Sequence, residues 1–258
     1  MTFYIIGSGN MAWFLVTRLT GAGHVCKGVY SRNHDTGSQL ADAFGLKQLS
    51  SPEEIQDDAD CCIMAIADGA IDEVVKRLSL SNTVLLHTAG AASINLLSSA
   101  TQHYGVLWLI YSIVKNNLPE HRQIPCAYEY SDTRAKEVIQ QLANSITDIT
   151  YEADGTSRKW LHLCAVLSNN FTNHMMAITD ELCRREGIPF DMLRPILSQT
   201  FERTTTTPPR ALQTGPARRN DEKTMTSHMK MLDDHPEWQR IYQAVNESIK
   251  AMYKSGNQ

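Results

Sequence analysis

The sequence predicts an α/β fold, in which a doubly wound, mainly parallel sheet is followed by an all-helical C-terminal domain. Over residues 1–153, short β-branched runs alternate with segments of helical period, as in strands joined by crossover helices. Several runs are apolar on consecutive residues, which is typical of strands covered on both faces. After Asp154-Gly155 the strand signals stop and long helical periods begin. We therefore predict a sheet domain at 1–153 and a helical domain at 154–258.

The predicted elements of the first domain alternate along the chain. Eight strands are predicted, at 2–6, 25–31, 46–49, 61–66, 83–87, 105–109, 125–129 and 148–151. Four helices lie between them, at 10–20, 35–44, 69–78 and 132–145. This alternation predicts crossover connections and a parallel sheet, with ligands at the carboxyl ends of the strands.

The second domain is predicted to consist of helices alone. Apolar residues from Trp160 to Leu182 recur at intervals of three, four or seven, which predicts a helix of about thirty residues ending near Gly187 and Pro189. Further helices are predicted at 191–205, 220–233 and 236–254. Prolines and a glycine predict a loop at 204–216.

Composition narrows the classes of function. The 258 residues carry a net charge of −4, with 42% hydrophobic and 20% charged residues, as in an ordinary globular protein. Without a basic excess we expect neither nucleic acid nor an anionic membrane as partner, but a small molecule. The six cysteines form no CxxC pair, so structural thiols and no metal site are expected. No secretory signal is visible and the longest apolar run, 106–114, is too short to span a bilayer, so we expect a cytoplasmic protein.

A glycine motif, GSGNMA at 7–12, follows the first strand and opens the first helix. Gly7 permits a tight turn, Gly9 allows backbone to approach a pyrophosphate, and Ala12 allows close packing of helix on strand. Amide groups at the start of the helix, around Ser8, Asn10 and Met11, would hold the phosphates. The motif predicts a Rossmann-type dinucleotide site; a glycine turn without a ligand and a methyltransferase loop are weaker alternatives.

The end of the second strand bears on which dinucleotide binds. An Asp or Glu there accepts hydrogen bonds from the ribose of NAD, but this chain has Ser31 and Arg32. A guanidinium can bind a 2′-phosphate bidentately and stack on adenine. We therefore predict NADP rather than NAD, the alternative being that Arg32 is a solvated loop charge.

Two further loops leave the carboxyl ends of predicted strands, AIADGAI at 65–71 and HTAGAAS at 87–93. Ligands of open α/β sheets bind at these ends, so Ala67, His87 and Thr88 are predicted to line the cofactor cleft. For His87 a purely structural, hydrogen-bonded role is equally consistent with the sequence.

A polar segment, SNNFTNH at 168–174, interrupts the long apolar helix. Helical spacing places Asn169 over Asn173 and Asn170 over His174. Amides and an imidazole on one face can hold a carbonyl or alcohol oxygen and relay its proton. Because apolar residues flank the segment, we expect it to be buried or to line a cleft, where Asn170 and His174 would be catalytic; an exposed face or an internal network is the alternative.

A loop with several arginines, ALQTGPARRND at 211–221, precedes a predicted helix cap. If the loop folds towards the cleft, Arg218 and Arg219 are predicted to bind an anionic group of the substrate, or alternatively to contact a phosphate of the cofactor. A solvated arginine pair is the alternative.

These motifs together resemble a known family. The start YIIGSGNMAWFL, the segment HLCAVLSNNFTNHMMAITDELCRREGI at 162–188 and ALQTGPARRND are similar to two-domain NADP oxidoreductases with a Rossmann-like domain and a helical domain of unknown function. The N-terminal half is similar to pyrroline-5-carboxylate reductase, deazaflavin-dependent NADP oxidoreductases and 6-phosphogluconate dehydrogenase-like proteins. The resemblance implies NADP as cofactor and a dimerising helical domain. Related hydroxyacid dehydrogenases have a catalytic lysine where Val166 stands here, so that mechanism does not transfer.

The leading hypothesis is an NADP-dependent oxidoreductase that moves a hydride between nicotinamide and a small carbonyl or imine, or an alcohol or amine, with Asn169 and Asn173 assisting substrate binding. The alternative is an NADP(H)-binding redox sensor or regulatory protein without turnover. A homodimer is expected because a helix of about 45 Å is longer than a domain of roughly 100 residues requires.

Overall fold

The computed structural model describes residues 1–254, and the sheet of its N-terminal half has eight strands in the order β3-β2-β1-β4-β5-β6-β7-β8. The strands are β1 Thr2–Ile6, β2 Val25–Tyr30, β3 Gln48–Leu49, β4 Cys61–Met64, β5 Val84–His87, β6 Tyr104–Leu109, β7 Cys126–Tyr130 and β8 Thr150–Glu152. All eight predicted strands are thus confirmed, with ends that differ by a few residues. Every neighbouring pair is parallel except β6 with β7.

The strand order reverses beside β1, and this reversal determines where the sheet has a crevice. The chain runs outward from β1 to β2 and β3, then returns to β4 on the other side of β1. Such a reversal opens a crevice at the carboxyl ends of the two inner strands. The motif Gly7–Gly9 directly follows β1 and lies at this crevice.

Helices cover both faces of the sheet. They are α1 Asn10–Gly21, α2 His34–Phe44, α3 Ile71–Val75 and α4 Thr133–Ile146. α2 and α4 begin with side-chain caps, Asn33 accepting from the amide of Thr36 and Asp132 from that of Ala135. Hydrophobic clusters fill the space between helices and sheet, one around Phe3, Ile5 and Phe14 and one around Tyr4, Ile6 and Met64. The alternation along β1 therefore sends successive side chains to opposite cores.

The C-terminal half is helical throughout its regular elements. α5 Gly155–Ala165, a π-helical turn Val166–Asn170 and α6 Phe171–Arg185 follow one another along the chain, as the predicted long helix requires. The remaining helices are α7 Arg194–Thr204, α8 Pro209–Leu212, α9 Pro216–Arg219, α10 Glu222–Met231 and α11 Pro236–Lys254. The prediction of a loop at 204–216 was wrong in part, because Pro209 and Pro216 begin the short helices α8 and α9. Proline suits the first turn of a helix, where its missing N–H has no partner to lose.

The contacts divide the chain into two compact units, a first unit of residues 1–168 and a second unit of residues 169–258. The division falls after Ser168, within the π-helical turn, and not at the predicted boundary after residue 153. α5 thus has most of its contacts within the first unit. Arg158 in this helix is one of the largest fully buried side chains of the described residues.

Candidate functional site

A cavity of about 500 Å³ lies in the first unit at the carboxyl ends of β1, β2 and β4. Nine residues of the predicted cofactor site line it: Gly7, Ser8, Gly9, Asn10, Met11, Ser31, Arg32, Ala67 and Thr88. Nine residues not predicted also line it: Ile6, Tyr30, Asn33, Ala65, Ile66, Ala70, Glu73, Val74 and Arg77. The structure therefore brings most of the predicted cofactor residues to one cavity.

The two glycines of the motif serve the cavity in different ways. Gly7 has φ +113°, and a Cβ there would lie 2.2 Å from the carbonyl oxygen of Ala65. Gly9 has an ordinary φ of −77°, and a Cβ there would meet no atom within 4 Å. Gly7 is thus required by the fold itself, whereas Gly9 leaves space beside the start of α1.

The start of α1 is suited to an anion. Gly9 is the N-cap residue, no side chain caps the helix, and the first turn contains no acidic residue. The backbone N–H groups of this turn are left for a ligand, and the helix dipole favours negative charge there. Ala12 lies in the same helix but is fully buried in the core, so it contributes the predicted close packing and does not line the cavity.

Three hydroxyl groups join the glycine motif to the end of β2. The Oγ atom of Ser8 lies 2.7 Å from Oγ of Ser31 and 2.7 Å from Oγ1 of Thr36. Arg32 follows Ser31, is exposed, and has no hydrogen bond or ion pair within residues 1–254. This end of the cavity therefore combines hydroxyl groups with an uncompensated cation and has no carboxylate at the end of β2.

A second wall of the cavity comes from the segment after β4. Ala70, Glu73, Val74 and Arg77 line the cavity from this segment, and their spacing places them on one helical face. This wall was not predicted, although the spacing of the four residues is visible in the sequence. Arg77 forms a paired hydrogen bond with Glu53, from Nε to Oε1 at 2.7 Å and from Nη2 to Oε2 at 2.8 Å. This guanidinium holds the pKa of Glu53 at about 2.

A buried arginine supports the loop after β5 through hydrogen bonds to its backbone. Arg158 is 1% exposed, and its Nη1 donates to the carbonyl oxygens of Ala89, Gly90 and Ala92 at 3.2, 2.9 and 2.7 Å. Its Nη2 donates to Oε2 of Glu129 at 2.7 Å, which balances the buried charge. Thr88 at the start of this loop reaches the cavity. Nothing in the sequence distinguishes Arg158 from a surface arginine, so this support was not predicted.

His87 does not line the cavity, contrary to prediction. The imidazole is fully buried, Nδ1 accepts a hydrogen bond from the amide of Ala89 at 3.2 Å, and Nε2 has no partner within residues 1–254. Burial, together with the charge of Arg158, lowers the pKa of His87 to about 4. The structural alternative is the one that the geometry supports, because the side chain at the end of β5 is turned into the protein.

The predicted catalytic and substrate-binding residues all lie in the second unit. Asn169, Asn170, Asn173 and His174 are exposed, and the described residues offer none of them a side-chain hydrogen bond. This exposure contradicts the expectation of burial, while the lining of a cleft stays a prediction. The exposure follows from the small core of the second unit, which leaves most of α6 uncovered.

The predicted arginine loop is a helix in the structure. Arg218 and Arg219 are both exposed in α9, and the guanidinium of Arg218 lies over the ring of Tyr253, 4.8 Å from its centroid. Asn220 ends the helix in a left-handed conformation with φ 55°, which asparagine tolerates. The arginine pair is thus held on a short fixed element and not on a mobile loop tip.

Three observations on the described residues concern other kinds of site. No group of three His, Cys, Asp or Glu side chains is arranged to hold a metal ion among residues 1–254. In the same range, no helix has both the length and the hydropathy for a membrane span. All six cysteines are free thiols, and all but Cys164 are buried, so the prediction of structural thiols is confirmed for five of them.

Two family models match the chain. One, described as NADP oxidoreductase, coenzyme F420-dependent, matches residues 2–89, and the other, a domain of unknown function (DUF2520), matches residues 124–249. The crystal structure of a candidate NADP oxidoreductase from Bacteroides fragilis is 31% identical, with a TM-score of 0.90 over 97% of this chain and 98% of that one. The chain belongs to this two-domain NADP oxidoreductase family. Membership of this family places the chain in the class of NAD(P)-dependent oxidoreductases. The comparison with curated proteins found no match.

More distant structures share the fold of the family. A 1-pyrroline-5-carboxylate reductase from Streptococcus pyogenes is 16% identical, with a TM-score of 0.62 over 97% of this chain and 98% of that one. An imine reductase from Myxococcus stipitatus, solved with NADP+, is 16% identical, with a TM-score of 0.64 over 99% and 95%. At these identities the likeness shows the fold alone.

Proposed function

We propose that the protein is an NADP-dependent oxidoreductase that moves a hydride between nicotinamide and a small substrate, either a carbonyl or imine, or the corresponding alcohol or amine. The observation that carries the proposal is the cavity in which a glycine cradle adjoins an unpaired arginine. Gly9 leaves room for a pyrophosphate at the start of α1, and Arg32 supplies a cation where NAD-binding proteins place a carboxylate. These features fit a 2′-phosphorylated dinucleotide.

When bound, the cofactor supplies or accepts the hydride at C4 of its nicotinamide. The protein then has to bind, orient and protonate the substrate. Thr88 lines the cavity and lies in the loop after β5 that Arg158 supports. We propose that this residue faces the nicotinamide. For proton transfer we propose His174, with Asn170 orienting the substrate oxygen or nitrogen and Asn169 and Asn173 adding hydrogen bonds.

An anionic substrate group would bind Arg218 or Arg219. The two guanidinium groups are exposed on α9, and neither has an ion pair within residues 1–254. Arginine pairs bidentately with carboxylates and phosphates, so either group suits a small acidic substrate. The residues come from the second unit, and their role is a proposal from their chemistry.

We further propose that the protein is a homodimer joined through the helical half. Large apolar side chains there are exposed: Phe171, Met175, Ile188, Met192, Ile196, Phe201, Met231, Val245 and Met252. Phe171 and Met175 lie four residues apart in α6, so this pair occupies one helical face. Apolar faces of this kind mark an interaction surface, and a second copy offers a surface of the same character. The free thiols support a reducing compartment, the cytoplasm, as its location.

Titration of the protein with NADPH and NADH, followed by nicotinamide fluorescence, tests the cofactor assignment. We expect NADPH to bind at least about tenfold more tightly, because a charge-assisted contact to the phosphate is lost with NADH. Small cyclic imines and oxoacids would then be screened for oxidation of NADPH. On a substrate so identified, His174→Ala should lower kcat, while His228→Ala, a change at another exposed histidine of the second unit, should leave kcat unchanged.

A second candidate is an NADP(H)-binding protein without turnover. The cavity lining contains no histidine, lysine or cysteine, so no lining group exchanges a proton readily near neutral pH. Val166 also stands where related hydroxyacid dehydrogenases have their lysine. This candidate predicts tight NADPH binding with no consumption on any carbonyl or imine, and an unchanged affinity in His174→Ala.

A further inference from the structure

The wall formed by the segment after β4 differs in charge from the end of β2. Glu73 and Arg77 line the cavity from this wall, and Glu53 is bound to Arg77. Two carboxylates and one guanidinium give this wall a net negative charge. A phosphate dianion is therefore disfavoured here, whereas Arg32 at the end of β2 has no anionic partner within residues 1–254.

The guanidinium of Arg77 is held in a fixed plane. Glu53 engages it through both Nε and Nη2, in the fork geometry that locks the orientation of arginine. The side chain of Tyr30 also interacts with this guanidinium and, after Glu53, contributes to raising the pKa of Arg77. Because its charge is balanced by Glu53 and its plane is fixed, this guanidinium is better suited to stacking on a planar ligand than to binding an anion.

The neighbours of Arg77 suit a flat, partly apolar ligand. Ala70 and Val74 precede it on the same helical face, and Ile66 and Tyr30 line the cavity as well. Adenine is a planar base that packs against aliphatic side chains and stacks on guanidinium groups.

We propose that Arg77 is a stacking platform for the adenine of the cofactor, with Glu53 as the positioning residue that fixes its plane and Arg32 as the group that binds the 2′-phosphate. The proposal rests on the cofactor site of the proposed function and divides its adenosine end between two arginines. Arg77 contributes to affinity for every adenine dinucleotide, and Arg32 contributes to the choice between NADP and NAD.

Two nucleotide fragments separate these roles. Calorimetric titration with 5′-AMP reports the adenosine contact, and titration with 2′,5′-ADP adds the 2′-phosphate. Arg77→Ala should weaken both fragments by the same factor, about 3- to 10-fold. Arg32→Gln should weaken 2′,5′-ADP and leave 5′-AMP nearly unchanged. Lys76→Ala, which removes an exposed ion pair with Asp72 next to Arg77, is the matched control and should change neither.

Two more variants distinguish a platform from a second phosphate-binding cation. Arg77→Tyr retains a flat face without charge, so it should restore most of the affinity for 5′-AMP that Arg77→Ala loses. Glu53→Gln releases the plane of Arg77 and should weaken both fragments. If Arg77 instead binds phosphate, Glu53→Gln removes a competing carboxylate and tightens 2′,5′-ADP alone, and Arg77→Tyr fails to rescue; either result overturns the proposal.

Two further outcomes distinguish a failure of the stacking platform from a failure of the proposed function. Unchanged binding of both fragments in Arg77→Ala overturns the platform while leaving the proposed function intact. A wild-type protein that binds neither fragment nor NADPH contradicts the proposed function and the platform together. Because Arg77 is 41% exposed, its substitution should not unfold the protein, and circular dichroism with a thermal melt checks this.

Discussion

Phe3, Phe14 and Leu15 of the first unit have no exposed surface, whereas Phe171, Met192 and Ile196 of the second unit are each more than half exposed. Between 169 and 254, only Ile178, Cys183, Ala217, Met225 and Leu232 are buried hydrophobic residues. Most buried hydrophobic residues thus lie in the first unit, although Trp160, Leu163 and Leu167 of that unit are exposed, while the second unit exposes apolar surface that would usually form a core. The candidate cofactor cavity therefore lies in the unit with the larger cores, and the second unit leaves much of its apolar surface exposed.

The largest loss of unfolding free energy is expected from breaking a buried ion pair of the first unit, compared here with an exposed pair of the second. Arg158→Met removes one partner of a buried pair and leaves Glu129 and three loop carbonyls without their donor, so unfolding free energy should fall by about 3–5 kcal/mol. Arg184→Met removes an arginine that is 71% exposed and pairs with Glu181, and should cost less than about 1 kcal/mol. Urea unfolding of both variants measures the difference. Equal losses would contradict the contrast between the units.

A second test separates fold from site within the first unit. Gly7→Ala places a methyl group against the carbonyl of Ala65 at positive φ and should cost about 2–4 kcal/mol in unfolding free energy. Gly9→Ala should leave thermal stability unchanged but weaken NADPH, because its methyl group enters the space left for the pyrophosphate. Thermal melts and NADPH titration measure the two effects. A Gly9→Ala protein with wild-type affinity would show that the pyrophosphate lies elsewhere.

The pH dependence of stability should also come from the first unit. The pKa of His87 is about 4 in the folded chain, below the ordinary value of 6.5, so only the unfolded chain binds this proton between those pH values. Above pH 6.5 both states are neutral, and stability falls as the pH drops from 6.5 to 4, by up to about 3 kcal/mol.

His87→Asn, which retains an acceptor for the amide of Ala89, should flatten most of this slope. Burial also lowers the pKa of His24, so a smaller slope of the same sign should remain. His174→Asn, at an exposed position of the second unit, is the control and should retain the full slope. Chemical unfolding at a series of pH values gives the measurement.

The smallest expected effect concerns association. Phe171→Glu places a charge on an exposed apolar face and should weaken a homodimer by about 2 kcal/mol per copy, with little change in the stability of the first unit. Sedimentation over a range of concentrations measures the shift. A wild-type chain that sediments as a monomer at all concentrations would remove the proposed dimer, and the exposed face would then need another explanation.

The sequence predicted the sheet well because each strand is encoded locally. Runs such as Cys61–Met64 are apolar on consecutive residues, and the alternation of strands and helices leaves few possible topologies. Pro209 and Pro216 predict a loop that interrupts the helices, although proline also begins helices, and nothing local distinguishes the two uses. The exposure of His174 was not predictable either, since the flanking apolar residues indicate burial whether or not the same chain supplies the cover.

Cavity residues that belong to a backbone motif were predicted, and those that depend on pairs of side chains were missed. Gly7 and Gly9 follow from the spacing of one motif. Arg77 depends on Glu53, which is 24 residues earlier in the chain, and Arg158 on Glu129, which is 29 residues earlier. The spacing of the second wall is visible in the sequence, but long-range pairs of this kind leave no local pattern, so the orientation of Arg77 and the support of the loop after β5 required the structure.

The hydroxyl cluster at Ser8 has a consequence for the direction of its protons. In one arrangement Ser31 donates to Ser8, Ser8 donates to Thr36, and Oγ1 of Thr36 donates to the carbonyl oxygen of Asn33 at 3.2 Å. Ser31 is then an acceptor towards a ligand. In the reverse arrangement Ser31 donates, and only the contact to Asn33 is given up. The reversal needs no movement of heavy atoms, because each hydroxyl has one proton and two lone pairs. Ser31 can thus serve a ribose hydroxyl or a phosphate oxygen alike, and under the proposed function the charge of Arg32 would discriminate between them.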